Sequence, residues 1–238
     1  MNHKRPSSYL ALGLILPSLS LAESQTTIDE NLTVAQRLYA GIDLGYATTD
    51  WSMLNINDPS SILSESLPIG ANDKGFSYGF SLGYSLNQYF SLETAYSHFS
   101  NAYITLQFYN TYTHHPGPDA QTLTSKTSAF DMSAKFTIPI PVITNMQAFS
   151  SAGVAVVHRN DNQLTIFNNN DPTNQTFGVN TYRVGGVFGA GLIYNFSKYF
   201  FCQTSFKYYT GYGRSNDRPV EFYIPFIYKG SIMFAFRF

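Results

Sequence analysis

The stretch GFSYGFSLGYSL, residues 75–86, places a large apolar or aromatic side chain at every second position. Only Gly or Ser lies between the large residues, which are Phe76, Tyr78, Phe80, Leu82, Tyr84 and Leu86. Successive side chains of a β-strand point to opposite faces, so one face of this segment is bulky and the other is nearly bare. The pattern predicts a strand whose bulky face meets an apolar medium and whose bare face meets a crowded interior.

The composition separates this chain from ordinary soluble domains. Of its 238 residues, 16% are aromatic and 12% are charged, whereas about 25% of the residues of an average soluble domain are charged. The longest nearly unbroken apolar run, residues 9–16, is far shorter than the roughly 18 residues that a spanning helix needs. These features predict a membrane protein that crosses the bilayer with strands. There is no surplus of basic residues, 14 against 15 acidic ones, so no nucleic-acid partner is expected.

The N-terminus has the pattern of a secretory signal. Lys4 and Arg5 precede an apolar segment at 10–16, and Ser20-Leu21-Ala22 forms a small-residue cleavage site. The alternative, an N-terminal anchor helix, requires a longer apolar segment. We therefore expect a signal peptide at 1–22, a polar periplasmic tail at 23–36 and one domain at 37–238.

Alternation of the kind seen at 75–86 recurs along the chain. Strands are predicted at 37–48, 75–86, 89–100, 126–138, 146–158, 182–194, 199–210 and 228–238. Long polar segments at 49–74, 101–125, 159–181 and 211–225 alternate with short turns at 87–88, 139–145 and 195–198. Short periplasmic turns and long extracellular loops are the connections typical of outer-membrane barrels. The expected fold is all-β: an eight-stranded antiparallel up-and-down transmembrane barrel with four long extracellular loops.

The bulky residues are predicted to face acyl chains, because strands survive in lipid only as a closed barrel. Eight strands leave an interior just wide enough for side chains to fill, so the small residues face inward. The strand at 146–158 is apolar or small on both faces, so its sequence does not show which face points into the barrel. A soluble sandwich or lipocalin-like barrel would also alternate, but it would bury its aromatic face in a core and carry more charge outside.

The same alternation sends a set of charged side chains into the lumen: Asp43, Glu93, Asp131, Lys135, Lys207, Lys229 and Arg237. An unpaired buried charge is costly, since removing one partner of a buried pair typically costs about 3–5 kcal/mol. We expect these groups to form a mutually paired network that plugs the barrel. The alternative is the lining of a narrow charged channel that passes small solutes.

The hairpin SLGYSLNQYFSLETAYSHF and the C-terminal FAFRF resemble those of small barrels of the Gram-negative outer membrane, namely the OmpA-type transmembrane domain and the opacity-type surface antigens. The resemblance implies an outer-membrane location in contact with lipid and lipopolysaccharide. It also implies that the barrel-assembly machinery reads a C-terminal signal, which here comprises Tyr228, Ile232, Phe234, Phe236 and Phe238. Such barrels anchor, bridge or adhere through their loops, possible host surface ligands included, and some of them pass small solutes.

One motif suggests catalysis. His98-Phe99-Ser100-Asn101 resembles the His-x-Ser-Asn motif of barrel lipid A deacylases, but the acid that would orient His98 is missing, because no Asp or Glu occurs between Glu93 and Asp119. The motif also lies in the third predicted strand, whereas that family carries it near the C-terminus. A lipid A-modifying enzyme using His98 and Ser100 is therefore only a remote alternative, and we expect no catalytic residue.

No cofactor or metal site is expected either. His114 and His115 lack metal-ligand spacing with other ligands, and the oxygen-rich 168–171 segment has no glycine-turned calcium loop around it. The chain is thus predicted to be a non-enzymatic surface protein with a plugged interior and a structural or adhesive role.

Overall fold

The computed structural model describes residues 37–52, 54, 56–57, 65–109, 120–162, 164–168, 171–212 and 223–238. The predicted signal peptide, the predicted periplasmic tail and the two adjacent histidines, His114 and His115, lie outside the described residues. Within the described ranges, no helix has the length and apolar character needed to cross a bilayer.

Almost all of the described residues are in strands. In chain order these are β1 (Leu38–Asp50), β2 (Ile56–Asn57), β3 (Glu65–Asn72), β4 (Lys74–Ser85), β5 (Phe90–His98), β6 (Ala102–Tyr109), β7 (Gln121–Pro139), β8 (Met146–Asp161), β9 (Leu164–Asn168), β10 (Asp171–Phe177), β11 (Asn180–Asn195), β12 (Phe200–Tyr209) and β13 (Phe226–Arg237). Each predicted strand overlaps one long strand of this set, and most of the predicted ends agree within a few residues.

Eight of these strands close on themselves. Their order around the circle is β1–β4–β5–β7–β8–β11–β12–β13, and β13 pairs back to β1. Every pairing is antiparallel between neighbours in that order. This confirms the predicted eight-stranded up-and-down barrel, with its short turns at one end and its long connections at the other.

The register fixes the tilt of the wall. Successive cross-strand partners lead from Leu38 through Tyr84, Leu92, Ala134, Ala152, Phe188, Tyr208 and Tyr228 back to Thr48. One turn around the barrel therefore ends ten residues farther along β1, at position 48 instead of 38. With strands about 4.8 Å apart and a rise of about 3.3 Å per residue, this stagger tilts the strands by about 40° from the barrel axis.

The bulky side chains form the outer surface. The large residues of 75–86 are exposed or half-buried, and the small residues that alternate with them are buried or half-buried. The sequence did not show which face of β8 points into the barrel. In the structure, Val154 and Val156 point outward, and Phe149, Ala155 and Val157 point inward. Phe149 lies opposite Gly191 of β11, and that glycine leaves room for the ring in the lumen.

The long extracellular segments carry more structure than predicted. β3 pairs with β2 and β6, and β6 pairs with the first residues of β7, so one side of the wall continues beyond the barrel as a small sheet. β9 and β10 form a separate hairpin. The segments at 49–74, 101–125 and 159–181, predicted as long polar loops, therefore contain short strands as well. Among the wall strands, β7 continues to Gln121 and pairs there with β6 instead of ending at the rim.

Candidate functional site: the filled lumen and the outer cap

The alternation of the strands places the seven predicted charged residues on the inner face. Six of them are buried: Asp43 of β1, Glu93 of β5, Asp131 and Lys135 of β7, Lys207 of β12 and Lys229 of β13. Arg237 is half-buried at the periplasmic end of β13. There its guanidinium lies 4.4 Å from the centre of the Phe201 ring and donates a hydrogen bond of 2.8 Å to Asn195 Oδ1. It has no carboxylate partner among the described residues.

Glu93 is the centre of one group of contacts. It forms an ion pair with Lys135 and lies 3.5 Å from Lys207 Nζ. The hydroxyl of Tyr39 donates a hydrogen bond of 2.9 Å to Glu93 Oε2. Lys135 Nζ also donates to Gln203 Oε1 at 2.7 Å. The carboxylate thus meets two ammonium groups and a hydroxyl donor in a buried position.

Lys207 joins Glu93 to a second carboxylate. Its Nζ lies 3.2 Å from Asp131 Oδ1, and the hydroxyl of Tyr209 donates to Asp131 Oδ2 at 2.9 Å. A further pair lies beside this chain of contacts. Lys229 Nζ is 2.8 Å from Asp43 Oδ1 and donates to Ser97 Oγ at 2.9 Å, while Ser231 Oγ donates to Asp43 Oδ2 at 3.1 Å.

These six buried groups balance in charge, with three carboxylates against three ammonium groups. Charges in a low-dielectric interior persist only where partners and additional hydrogen bonds compensate their desolvation. Each of the six has at least one oppositely charged partner, and each carboxylate accepts at least one further hydrogen bond from a hydroxyl. The network therefore occupies the middle of the lumen as a neutral layer.

An apolar layer lies inside the barrel on the periplasmic side of this network. Its buried members are Tyr39, Phe149, Ile193, Phe201, Met233 and Ala235, all near the periplasmic ends of their strands. Tyr39 and Phe201 meet edge to face, with ring centres 5.3 Å apart. Gly83 lies opposite Tyr39, and a Cβ at Gly83 would fall on the Tyr39 ring. Gly83 of the 75–86 stretch therefore makes room for a ring that another strand supplies.

A second apolar layer lies on the outer side. It consists of the buried residues Ala47, Phe99, Ala129, Ala155, Val157, Val187, Tyr209, Ile224 and Ile227. The rings of Phe99 and Tyr209 meet edge to face at 5.9 Å. Ile224 precedes β13 and comes from the last long connection, so that connection contributes side chains to the filling of the barrel mouth.

Above this layer lies a folded structure that we call the outer cap, formed by Trp51, Leu54, Ala102, Ile104, Leu106, Leu123 and Tyr223 together with Arg159 and Asp161. The seven apolar members make one buried cluster. Arg159 is fully buried, forms an ion pair with Asp161 and donates to the Tyr223 carbonyl oxygen at 2.9 Å. Its guanidinium carbon lies 5.0 Å from the centre of the Trp51 ring and 5.9 Å from that of Tyr223. The hydroxyl of Tyr223 donates to the Asp50 carbonyl oxygen at 2.7 Å.

Sequence reasoning missed several residues that complete the lumen and the cap. Arg159 and Asp161 were assigned to a loop because β8 was predicted to end at position 158. Tyr39, Gln203 and Tyr209 share the inward parity of the charged residues and were identifiable by that signal alone. Ala102, Ile104 and Leu106 alternate with Tyr103 and Thr105 in the AYITL segment, but the polar composition of 101–125 obscured that pattern.

The His98–Ser100 motif lies at the rim of the wall. His98 is half-buried on the outward face, where its ring centre is 5.1 Å from that of Tyr78. Cross-strand pairing aligns it with Ser128 and His158. Within the described ranges no carboxylate hydrogen-bonds His98, and no three His, Cys, Asp or Glu side chains are grouped to hold a metal ion.

Comparisons with known proteins identify the family to which the barrel belongs. The family model for the OmpA-like transmembrane domain matches residues 33–238. Neisserial surface protein A is 14% identical, with a TM-score of 0.49, over 84% of this chain and 97% of that one. OprG from Pseudomonas aeruginosa is 10% identical, with a TM-score of 0.49, over 85% and 98%. Ail from Yersinia pestis is 12% identical, with a TM-score of 0.39, over 84% and 98%.

A search of curated proteins found no significant match. The solved structures share the fold alone at these identities, whereas the family model covers the whole barrel, from before β1 to the last residue of the chain. The chain belongs to the OmpA-like transmembrane domain family and is an integral β-barrel protein of the Gram-negative outer membrane.

Proposed function

We propose that this protein is a closed surface barrel, which is held in the outer membrane by its wall and acts through its extracellular end. The observation that carries the proposal is the layered filling of the lumen. A neutral layer of ion pairs around Glu93 and Asp131 lies between two apolar layers, one around Phe201 and one around Phe99. An ion crossing the barrel would have to displace all three.

Each layer opposes conduction for a different physical reason. Apolar constrictions exclude water and so deprive an ion of its hydration. The central ion pairs leave no uncompensated charge to attract a solute, and breaking one of them costs about 3–5 kcal/mol. An eight-stranded barrel is also just wide enough for interior side chains to fill it. The three effects support a structural plug.

Planar-bilayer recording tests the plug. Purified full-length protein should give no persistent single-channel steps in symmetric salt. A matched variant with Phe201→Ala and Phe149→Ala removes two rings from the periplasmic layer, and it reports whether the assay detects an opened lumen. Persistent steps from the wild-type protein that change in size with Lys207→Ala would establish the alternative, a narrow small-solute pore. The observation that favours that alternative is the presence of charged side chains, Lys207 among them, on the inner face of the barrel.

We assign the binding function of the protein to its extracellular end. The outer cap supports this assignment, because it gives β3, β6 and the start of β7 a buried core of their own. A surface built in this way is presented in one geometry and needs little ordering when it binds a partner. We infer that the partner is a host-cell or matrix component that meets this surface.

An adhesion assay on intact cells tests the surface role. Residues 110–119, which join β6 to β7, are replaced by Asn-Gly, so that the cap residues on both sides are retained. Binding of cells to immobilised matrix or epithelial layers should fall toward that of cells lacking the protein, while the barrel keeps its heat-resistant gel mobility. If wild-type cells bind no better than cells lacking the protein, the adhesive role is wrong.

We also propose partners within the membrane. The outward aromatic and aliphatic wall fits the acyl chains of outer-membrane lipid. Near its outer rim the wall carries His98, Lys126 and His158, whose nitrogen donors suit the phosphates of lipopolysaccharide. The C-terminal residues Tyr228, Ile232, Phe234, Phe236 and Phe238 all face outward, where the barrel-assembly machinery would read them.

A further inference from the structure

One of the short periplasmic connections differs from the other two in chemistry. The turns at 86–89 and 196–199 are held by polar side chains. Asn87 Oδ1 accepts hydrogen bonds of 2.8 Å from the backbone N–H groups of Tyr89 and Phe90. In the 196–199 turn, Ser197 Oγ accepts the corresponding bonds from the N–H groups of Tyr199 and Phe200. The 140–145 turn instead has the sequence IPVITN, in which Val142 is 91% exposed and Ile143 is also exposed.

The apolar turn is held in place by backbone hydrogen bonds. Ile140 N–H donates to the Met146 carbonyl at 2.9 Å, and Ile143 N–H donates to the Ile140 carbonyl at 3.2 Å. Asn145 takes the left-handed conformation that asparagine tolerates, with φ of 68°. Its carbonyl accepts a bond of 2.9 Å from the N–H of Asn195, the last residue of β11. The turn is therefore tied to the neighbouring hairpin and presents Val142 in a defined position.

The register gives the depth of this turn. At a tilt of about 40°, each residue advances about 2.5 Å along the barrel axis. An apolar band about 25 Å tall therefore spans roughly ten residues of one strand. On β7 the band begins at Phe130, the first large apolar residue below Ser128, and ten residues farther along is Ile140. Val142 and Ile143 lie just past this limit, at the level of the lipid headgroups.

The apolar surface is continuous from the wall to the turn. Ile138, the last outward residue of β7 that faces acyl chains, is exposed, and Phe196 on the linked hairpin is exposed as well. No charged residue lies between Phe136 and Asn145 on this connection. We propose that the 140–145 turn is a lipid anchor, in which Val142 and Ile143 insert among the headgroups of the inner-leaflet phospholipids. The anchor holds the β7–β8 side of the barrel at a fixed depth.

Spin labels on single cysteines test the anchor in vesicles of pure phospholipid. In a Cys202→Ser background, nitroxides are placed by Val142→Cys in the apolar turn, Gln88→Cys in a polar turn at the same end, and Phe136→Cys in the wall. Accessibility to oxygen, which partitions into lipid, is compared with accessibility to a water-soluble nickel chelate present on both sides of the bilayer. Val142, Gln88 and Phe136 are exposed and Cys202 is half-buried, and gel mobility verifies that each barrel has folded.

The ratio of oxygen to nickel accessibility should be highest at Phe136, intermediate at Val142 and several-fold lower at Gln88. A ratio at Val142 equal to that at Gln88 would overturn the proposal, because the turn would then stand in water and its apolar residues would be free for a periplasmic protein. A ratio well above that at Gln88 supports the anchor directly, since no other protein is present. The result does not depend on whether the lumen conducts.

Discussion

The guanidinium of Arg159 lies 5.0 Å from the centre of the Trp51 ring, in a site where both side chains are buried. This contact joins β8 of the wall to the segment that follows β1, and the hydrogen bond from Arg159 to the Tyr223 carbonyl adds the segment before β13. One side chain thus fastens two extracellular connections, far apart in sequence, over the mouth of the barrel.

Replacing Arg159 by Met should loosen the outer cap and leave the wall intact. The substitution keeps an apolar stem but removes the charge that pairs with Asp161 and faces the Trp51 ring, so Asp161 is left buried without its partner. Trp51 is the single tryptophan of the chain, so its fluorescence reports on the cap alone. We expect a red shift of its emission and stronger quenching by acrylamide.

The matched control for the cap is Arg237→Met at the opposite end of the barrel, which should leave the emission of Trp51 unchanged. If Arg159→Met also leaves the emission and the quenching unchanged, Arg159 does not hold the cap together.

The Asp43–Lys229 pair gives the clearest measure of the central layer. Asp43→Asn leaves Lys229 buried without a counter-charge and should lower the free energy of unfolding by about 3–5 kcal/mol. The double variant Asp43→Leu with Lys229→Met removes both charges and should lose less than the sum of the two single changes. Denaturant titration of the refolded barrel, followed by gel mobility, provides these values. Lys74→Met, on the exposed face of β4, should stay within about 0.5 kcal/mol of the wild type.

Gly83→Ala tests the fit between the glycine face of β4 and the Tyr39 ring. The added methyl would overlap the ring, so we expect a loss of about 1–3 kcal/mol in unfolding free energy. Tyr39→Leu in the same chain should recover part of this loss by vacating the space. Gly230→Ala is the matched control, because a Cβ at Gly230 meets no atom within 4 Å. Equal stability of the two glycine variants would contradict the steric account.

Phe238→Ala tests the C-terminal assembly signal. We expect less folded protein in the outer membrane of expressing cells, with unchanged stability of the barrel refolded in detergent. The control is Phe80→Ala, since Phe80 and Phe238 are almost equally exposed, at 54% and 53%. An equal fall in folded protein for both variants would show that lost apolar wall surface, and not a terminal signal, is responsible.

His98→Ala addresses the lipid A hydrolase. The His98 ring contacts Tyr78 and has no orienting carboxylate among the described residues, so a Ser–His pair at this place lacks the group that positions the base. The mass spectrum of lipid A from expressing cells should therefore be the same for the variant and the wild type. A lipid A species that disappears with His98→Ala would restore the enzymatic interpretation.

Much of the wall was predictable from local pattern. The period of two in GFSYGFSLGYSL determines which side chains meet lipid, since neighbouring residues of a strand point to opposite faces whatever the partner strand. The same parity placed Asp43, Glu93 and Lys207 inside. The parity did not show which residues of β8 face inward, because Ala, Ser and Val are tolerated on both faces of a strand. There the pairing of Phe149 with Gly191 decided the outcome.

The sequence by itself determined the eight strands of the wall, the end at which the short turns lie and the inward placement of the charged residues, because these follow from residue type and spacing along the chain. Only the tertiary structure decided which carboxylate meets which ammonium group, that Arg159 reaches Trp51, and that the extracellular segments share a core. These contacts join residues far apart in the chain, and their partners depend on the stagger of ten residues around the closed wall. A stagger is a property of the closed barrel, and no single strand encodes it.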